Sequence, residues 1–233
     1  MTTIRLEAPG GPLDALLEVP DGHGPWPGVV LIHDAIGYGR DMQAISERVA
    51  SAGYVALSPN LYSRGGRARC ITRVFRDLLT QRGRALEDIL AARDQLLGMS
   101  ECSGAVGIAG FCMGGQFALI LSSSGFGAAA PFYGVPLPRH LEQTLEGACP
   151  IVASFGGRDL LGAGAADRLR RLVEDKGIAH DIKVYPEAGH SFANQLPAQP
   201  LIRIAGFGYD DAATADAWDR VFAFFGQHLS AEA

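Results

Sequence analysis

Short apolar runs bounded by glycine and proline recur along the chain at residues 3–7, 13–19, 28–33, 54–58, 104–109, 127–132, 149–155 and 180–185, and each predicts a strand. Between them the apolar spacing changes from two to about three and a half. Residues 41–51 place Ile45, Val49 and Ala50 on one side of a helix, and residues 84–97 do the same with Leu86, Leu90, Ala91 and Leu97. Residues 160–175 and 212–228 add two more amphipathic segments, the last with Ala217, Val221, Phe224 and Phe225 together. Two leading strands followed by strand–helix alternation predict an α/β fold: a mostly parallel sheet, an antiparallel N-terminal hairpin at one edge, and helices on both faces. No repeat or linker interrupts the pattern, so residues 1–233 are expected to form one domain. Residues 191–211 show no periodicity, and a stretch that long inside a compact domain usually borders a functional site.

Composition adds limits rather than detail. At 48% hydrophobic and 19% charged the chain is ordinary globular protein. Folding at this length buries roughly 70 to 75% of the unfolded surface, so neither metal nor disulfide is needed for stability. Cys70, Cys102, Cys112 and Cys149 match neither a zinc spacing nor a disulfide framework and are expected as free thiols. The net charge of −5, with 20 basic and 25 acidic residues intermixed, argues against nucleic acid or an anionic membrane as partner. Arg64, Arg67, Arg69, Arg73, Arg76, Arg82 and Arg84 form the one basic run, suited either to an anionic ligand or to the solvated face of a helix. The N-terminus lacks the layout of a signal peptide and no apolar run is long enough to span a bilayer, so a cytoplasmic protein is expected.

Three positions carry candidate chemistry. Residues 105–121 read as an apolar strand, then Gly110-Phe111-Cys112-Met113-Gly114-Gly115, then an apolar helix. Small residues two before and two after Cys112 allow a sharp strand-to-helix turn that lifts its side chain out of the sheet, with cysteine where serine is commoner. A thiol at a helix N-terminus also faces the partial positive charge that suits an anionic nucleophile. Two plainer readings compete: a small buried hydrophobe, or a dinucleotide loop, whose glycine spacing this is not. Asp159 lies on the loop Gly156-Gly157-Arg158-Asp159 beyond the strand at 149–155 and taken alone is a helix N-cap. His190 follows the strand at 180–185 in the run Pro186-Glu187-Ala188-Gly189-His190, and taken alone is a surface histidine. Together they follow the chain order nucleophile, acid, histidine, each just beyond a strand, which is the order of α/β-hydrolases. His33, ending another strand before Asp34-Ala35, competes as half of a metal site, although no third ligand accompanies it.

The segments HDAIG from His33, SPNLYSR at 58–64, GFCMGG at 110–115 and AGHSF at 188–192 span nearly the whole chain, and together they resemble the dienelactone hydrolase family. That resemblance implies an α/β-hydrolase fold and a triad of Cys112, Asp159 and His190, with the Met113 and Ala35 backbone amides as oxyanion hole. It implies a proton-holding carboxylate at Asp34, where the family has glutamate. Where the family places an arginine for the substrate carboxylate this chain has Asn194, so Asn194, Tyr133, Arg64 and Arg67 are the substrate-binding candidates. The expectation is a cofactor-free hydrolase of a small ester or lactone, with no bound metal, working as a monomer or weak homodimer. The rivals are a thioesterase or short-acyl carboxylesterase on the same triad, and a non-catalytic binding or redox-sensing protein that uses Cys112 as a reactive thiol.

Overall fold

A computed structural model describes residues 2–196 and 208–229. The strands are β1 (Thr2–Leu6), β2 (Leu13–Glu18), β3 (Trp26–Ile32), β4 (Val55–Pro59), β5 (Cys102–Phe111), β6 (Ala129–Phe132), β7 (Ile151–Gly156) and β8 (His180–Tyr185). The helices are α1 (Arg40–Ser51), α2 (Arg67–Thr80), α3 (Arg84–Leu97), α4 (Met113–Ile120), α5 (Leu141–Thr144), α6 (Ala165–Asp175) and α7 (Asp211–His228). One sheet runs β1-β2-β4-β3-β5-β6-β7-β8, with β1, β2 and β4 paired antiparallel and the remainder parallel. This is the mostly parallel α/β sheet with an antiparallel N-terminal hairpin expected from the patterning, and it agrees with the α/β-hydrolase fold that the resemblance implies.

The central strands alternate their side chains between two cores. Val30, Ile32, Val106 and Ile108 face a core shared with α2, α3, α4 and α6, whereas Val29, Leu31, Ala109 and Phe111 face one shared with α1 and α7. On the second face Phe111, Phe132 and Trp218 pack with ring centroids 5.0 to 6.1 Å apart, directly beneath the end of β5. The chain leaves β3 toward β4 on one side and reaches β5 on the other, so β3 and β5 flank the point where strand order reverses. Ligands in open α/β sheets bind outside the strand ends at that point.

Three elements differ from the patterning, the smallest being the single turn α5, for which four residues are too few to show a period. Helix α2 fills the arginine run, and its buried stripe is only Cys70, Val74, Asp77 and Leu78, too narrow to stand out among charged neighbours. Arg67, Arg69, Arg76, Arg82 and Arg84 are exposed, which is the solvated-face reading. The helix expected over 160–175 divides at Gly164, which adopts the left-handed conformation, into a 3-10 turn at Leu160–Gly162 and α6. Residues 197–207 of the aperiodic stretch lie outside the described residues. Among the described residues, no helix is long and apolar enough to cross a membrane.

Candidate active site

The candidate residues converge at the C-terminal ends of five strands adjacent in the sheet. Asp34 and Ala35 follow β3, Cys112 follows β5, Tyr133 follows β6, Asp159 lies beyond β7 and His190 beyond β8. Cys112 sits between β5 and α4 with φ 53° and ψ −113°, a strained conformation for a side chain bearing Cβ. Its amide donates to the Phe132 carbonyl at 3.0 Å and its carbonyl accepts from Gln116 at 3.1 Å, so the turn is pinned on both sides. A Cβ on Gly110 would lie 2.1 Å from the Gly114 carbonyl oxygen, and one on Gly114 would lie 2.2 Å from the Ile32 carbonyl oxygen. Those contacts bring α4 against the ends of β3 and β5, and they are why glycine is required at both positions. Tyr133 and Ser191 also have positive φ, at 37° and 62°, so backbone strain gathers around this cluster.

His190 and Asp159 are buried, with the Nδ1 of His190 2.7 Å from the Asp159 carboxylate. The other Asp159 oxygen accepts from the Leu161 amide at 3.0 Å, so the acid both caps the 3-10 turn and holds the ring. Burial opposes a charged imidazole here. Hydrogen bonds to Asp159 and to Cys112, with the charges of both, outweigh it and raise the His190 pKa to about 9. Cys112 is half-buried at the same point.

Asp34 Oδ1 accepts from the Ile36 amide at 2.9 Å and the Gly37 amide at 3.1 Å, bracing the loop after β3. Burial raises its pKa against those two bonds, with Asp41 raising it further and His190 opposing. Among the described residues, the Ala35 and Met113 amides donate to no protein acceptor. His33 is fully buried, its Nδ1 2.7 Å from the Asp34 carbonyl and its Nε2 3.3 Å from the Leu61 amide. Both ring nitrogens are occupied, which leaves no lone pair for the metal-site reading of His33.

The substrate-binding candidates separate. Tyr133 donates to the Asn194 carboxamide oxygen, and Asn194 Nδ2 donates to Asp41. Burial pushes the Tyr133 phenol well above its ordinary value, with Asp41, Asp34 and Cys112 adding to the effect, so it stays a neutral donor. Arg67 reaches this region only from outside, donating to the Ile36 carbonyl at 3.2 Å. Arg64 does not join the site. Its guanidinium forks onto Asp88 at 2.6 and 2.9 Å and onto the Gly11 and Pro12 carbonyls, which ties the loop before β2 to α3. A carboxylate that is itself buried takes up the charge the sequence left unassigned.

Asp41 is the residue that sequence reasoning missed. In the pattern it is an acidic residue in the first turn of α1, unremarkable there. In the fold it accepts from Asn194 and, at 2.7 Å, from the Gln195 amide, fastening the segment after His190 to α1. A cavity of about 430 Å³ beside it is lined by Asp34, Ile36, Tyr38, Asp41, Met42 and Leu196 among others. A larger cleft of about 600 Å³ by Glu18, Trp26 and Glu47 contains none of the candidate residues.

A model of the dienelactone hydrolase family matches residues 13–229. The chain is 29% identical over 197 residues to a carboxymethylenebutenolidase of Pseudomonas sp. (strain P51), covering 79% of this chain and 81% of that protein. It is 27% identical over 219 residues to the carboxymethylenebutenolidase of Rhodococcus opacus, covering 87% and 81%. Among solved structures, a dienelactone hydrolase-like promiscuous phosphotriesterase from metagenomic libraries matches with TM-score 0.82 at 22% identity, covering 98% of this chain and 99% of that one. The dienelactone hydrolase of Anabaena variabilis matches with TM-score 0.66 at 20% identity, covering 98% and 97%. At such identities the structural likeness speaks for the fold.

Proposed function

The chain belongs to the dienelactone hydrolase family, and from that premise we propose that it hydrolyses a small carboxylic ester or lactone through Cys112. The observation that carries this reading is the alignment of Cys112, Asp159 and His190 beyond β5, β7 and β8 on one edge of the sheet, with Cys112 lifted on a strained turn. A histidine charged through neutral pH pairs with a Cys112 thiolate. The thiolate sulfur attacks the carbonyl carbon, and the tetrahedral oxyanion accepts hydrogen bonds from the Ala35 and Met113 amides. Collapse breaks the acyl C–O bond, and the leaving oxygen takes the proton from His190. Neutral His190 then draws a proton from water as the water attacks the thioester, and the acid departs with thiolate and imidazolium restored. Burial raises the Asp34 pKa, the direction a proton-holding carboxylate beside this pair requires.

The substrate favoured here carries no carboxylate of its own. Asn194 is engaged by Tyr133 and Asp41, and among the described residues the charged lining of the neighbouring cavity is Asp34, Asp41 and the exposed Arg40. The half-buried Asp41 carboxylate, held by Asn194 and the Gln195 amide, disfavours a second anion beside it and has no such effect on a neutral acyl group. Cys112→Ala should lower hydrolysis of a neutral p-nitrophenyl ester by at least about 10³-fold while the fold is kept. Full activity in that variant would overturn the nucleophile. Turnover of a hemisuccinate ester matching that of the neutral ester would overturn the substrate class.

A further inference from the structure

Ala35 has no side chain beyond its methyl, so the direction of its amide must be set by its neighbours. Both peptide groups flanking it are fixed by buried partners. The Asp34 carbonyl, which shares a peptide plane with the Ala35 amide, accepts from His33 Nδ1 at 2.7 Å. A trans peptide points its N–H opposite its carbonyl, so seizing that oxygen aims the Ala35 N–H away from His33. The next plane is clamped at both ends: the Ala35 carbonyl accepts from the Tyr62 hydroxyl at 3.3 Å, and the Ile36 amide donates to Asp34 Oδ1 at 2.9 Å. The same hydroxyl lies 3.9 Å from the Met113 sulfur, so it touches both residues that contribute an oxyanion donor.

The two bracing side chains also hold each other. The His33 and Tyr62 rings pack with centroids 4.7 Å apart, and both are buried. The contacts of His33 define its tautomer, because a carbonyl at Nδ1 requires a proton there and the Leu61 amide at Nε2 requires a lone pair. Burial lowers its pKa to about 4, against the hydrogen bond to Asp34, so this neutral tautomer persists throughout the working pH range. Neither ring takes part in the proton transfers described above.

We infer that His33 and Tyr62 are positioning residues that aim the Ala35 amide, and so fix one of the two oxyanion donors in advance of the reaction. The inference rests on the reading of Cys112 as a nucleophile toward a carbonyl. Its test uses two reactions of the same sulfur. Ester hydrolysis develops an oxyanion; alkylation by iodoacetamide develops none. Tyr62→Phe removes only the hydroxyl, His33→Phe removes both polar contacts, and His33→Asn returns a donor near the Nδ1 position.

Losing an oxyanion donor outright costs about 10² to 10³ in rate, and misaiming one should cost less. The kcat for a neutral p-nitrophenyl ester should fall about tenfold in Tyr62→Phe and about a hundredfold in His33→Phe, with KM within about threefold and much of the loss recovered in His33→Asn. Alkylation of Cys112 should stay within about twofold of the wild type throughout. If His33→Phe does not fold, Tyr62→Phe decides the matter alone. A kcat for Tyr62→Phe within about twofold of the wild type overturns the inference, as does alkylation that declines in parallel with kcat. An active Cys112→Ala would instead overturn the underlying mechanism, which separates the two failures.

Discussion

The elbow that carries Cys112 and the wall that faces it are built over very different lengths of chain. The elbow is a few consecutive residues, Gly110 to Gly115, whose shape follows from a strand, a helix and small residues between them. The wall joins Tyr133, Asn194 and Asp41 through contacts spanning 61 and 153 residues of sequence, and no local sequence pattern brings the three together. The proposed nucleophile is therefore presented by local geometry, whereas the wall opposite it is a product of the whole sheet. Chemistry can be retained in such a design while specificity drifts, because a change at Asn194 leaves the elbow untouched.

Four measurements sharpen or break that contrast. The largest effect should come from the histidine that stands between the two parts: Asp159→Asn keeps the shape but weakens the hold on His190, and kcat should fall by about 10³ or more. A loss below about tenfold would mean that Asp159 does not set the histidine. Gly114→Ala tests the elbow as a backbone feature. Its Cβ would meet the Ile32 carbonyl oxygen at 2.2 Å, which should destabilise by about 3 kcal/mol and lower Tm on the order of 10 °C. An unchanged melting curve would show that the close approach is dispensable.

A smaller effect is expected from Asp41→Ala, which deprives Asn194 and the Gln195 amide of their acceptor. It should cost about 1 to 3 kcal/mol of stability and raise KM severalfold, with alkylation of Cys112 unchanged. Alkylation that fell with it would couple the wall to the nucleophile and undo the separation drawn here. The mildest signature is pH dependence. The folded-state pKa of His190 is raised from 6.5 to about 9, so the stability its charge contributes is complete below about 6.5 and fades as pH rises through about 9. Chemical denaturation from pH 6 to 10 should show that decline, and His190→Gln should abolish it. A midpoint that climbs over the same range would contradict a charged histidine.

How much was legible follows the same division. The eight strands, the antiparallel leading pair and the helices on both faces were readable because alternation of period two and three and a half survives substitution of any one residue. Cys112, Asp159 and His190 stood out by their place after strands, and they meet in the fold. Arg64 misled for a physical reason: a guanidinium goes to the strongest acceptor within reach, and the sequence did not reveal that Asp88 would be buried beside it. Helix α2 was obscured by its own charge, since Cys70, Val74 and Leu78 are a thin apolar seam among arginines.

By itself, then, the sequence determined the layering of the sheet, the turn at Cys112 and the order of the three candidate catalytic groups, because these depend on residues close together in the chain. Tertiary structure alone decided which polar groups are satisfied by which partners. Asp41 became the anchor of Asn194, and His33 with Tyr62 became the bracket around Ala35, because a buried donor or acceptor takes whatever partner the packing brings within about 3 Å. That choice is made between residues far apart in sequence, and no local pattern records it.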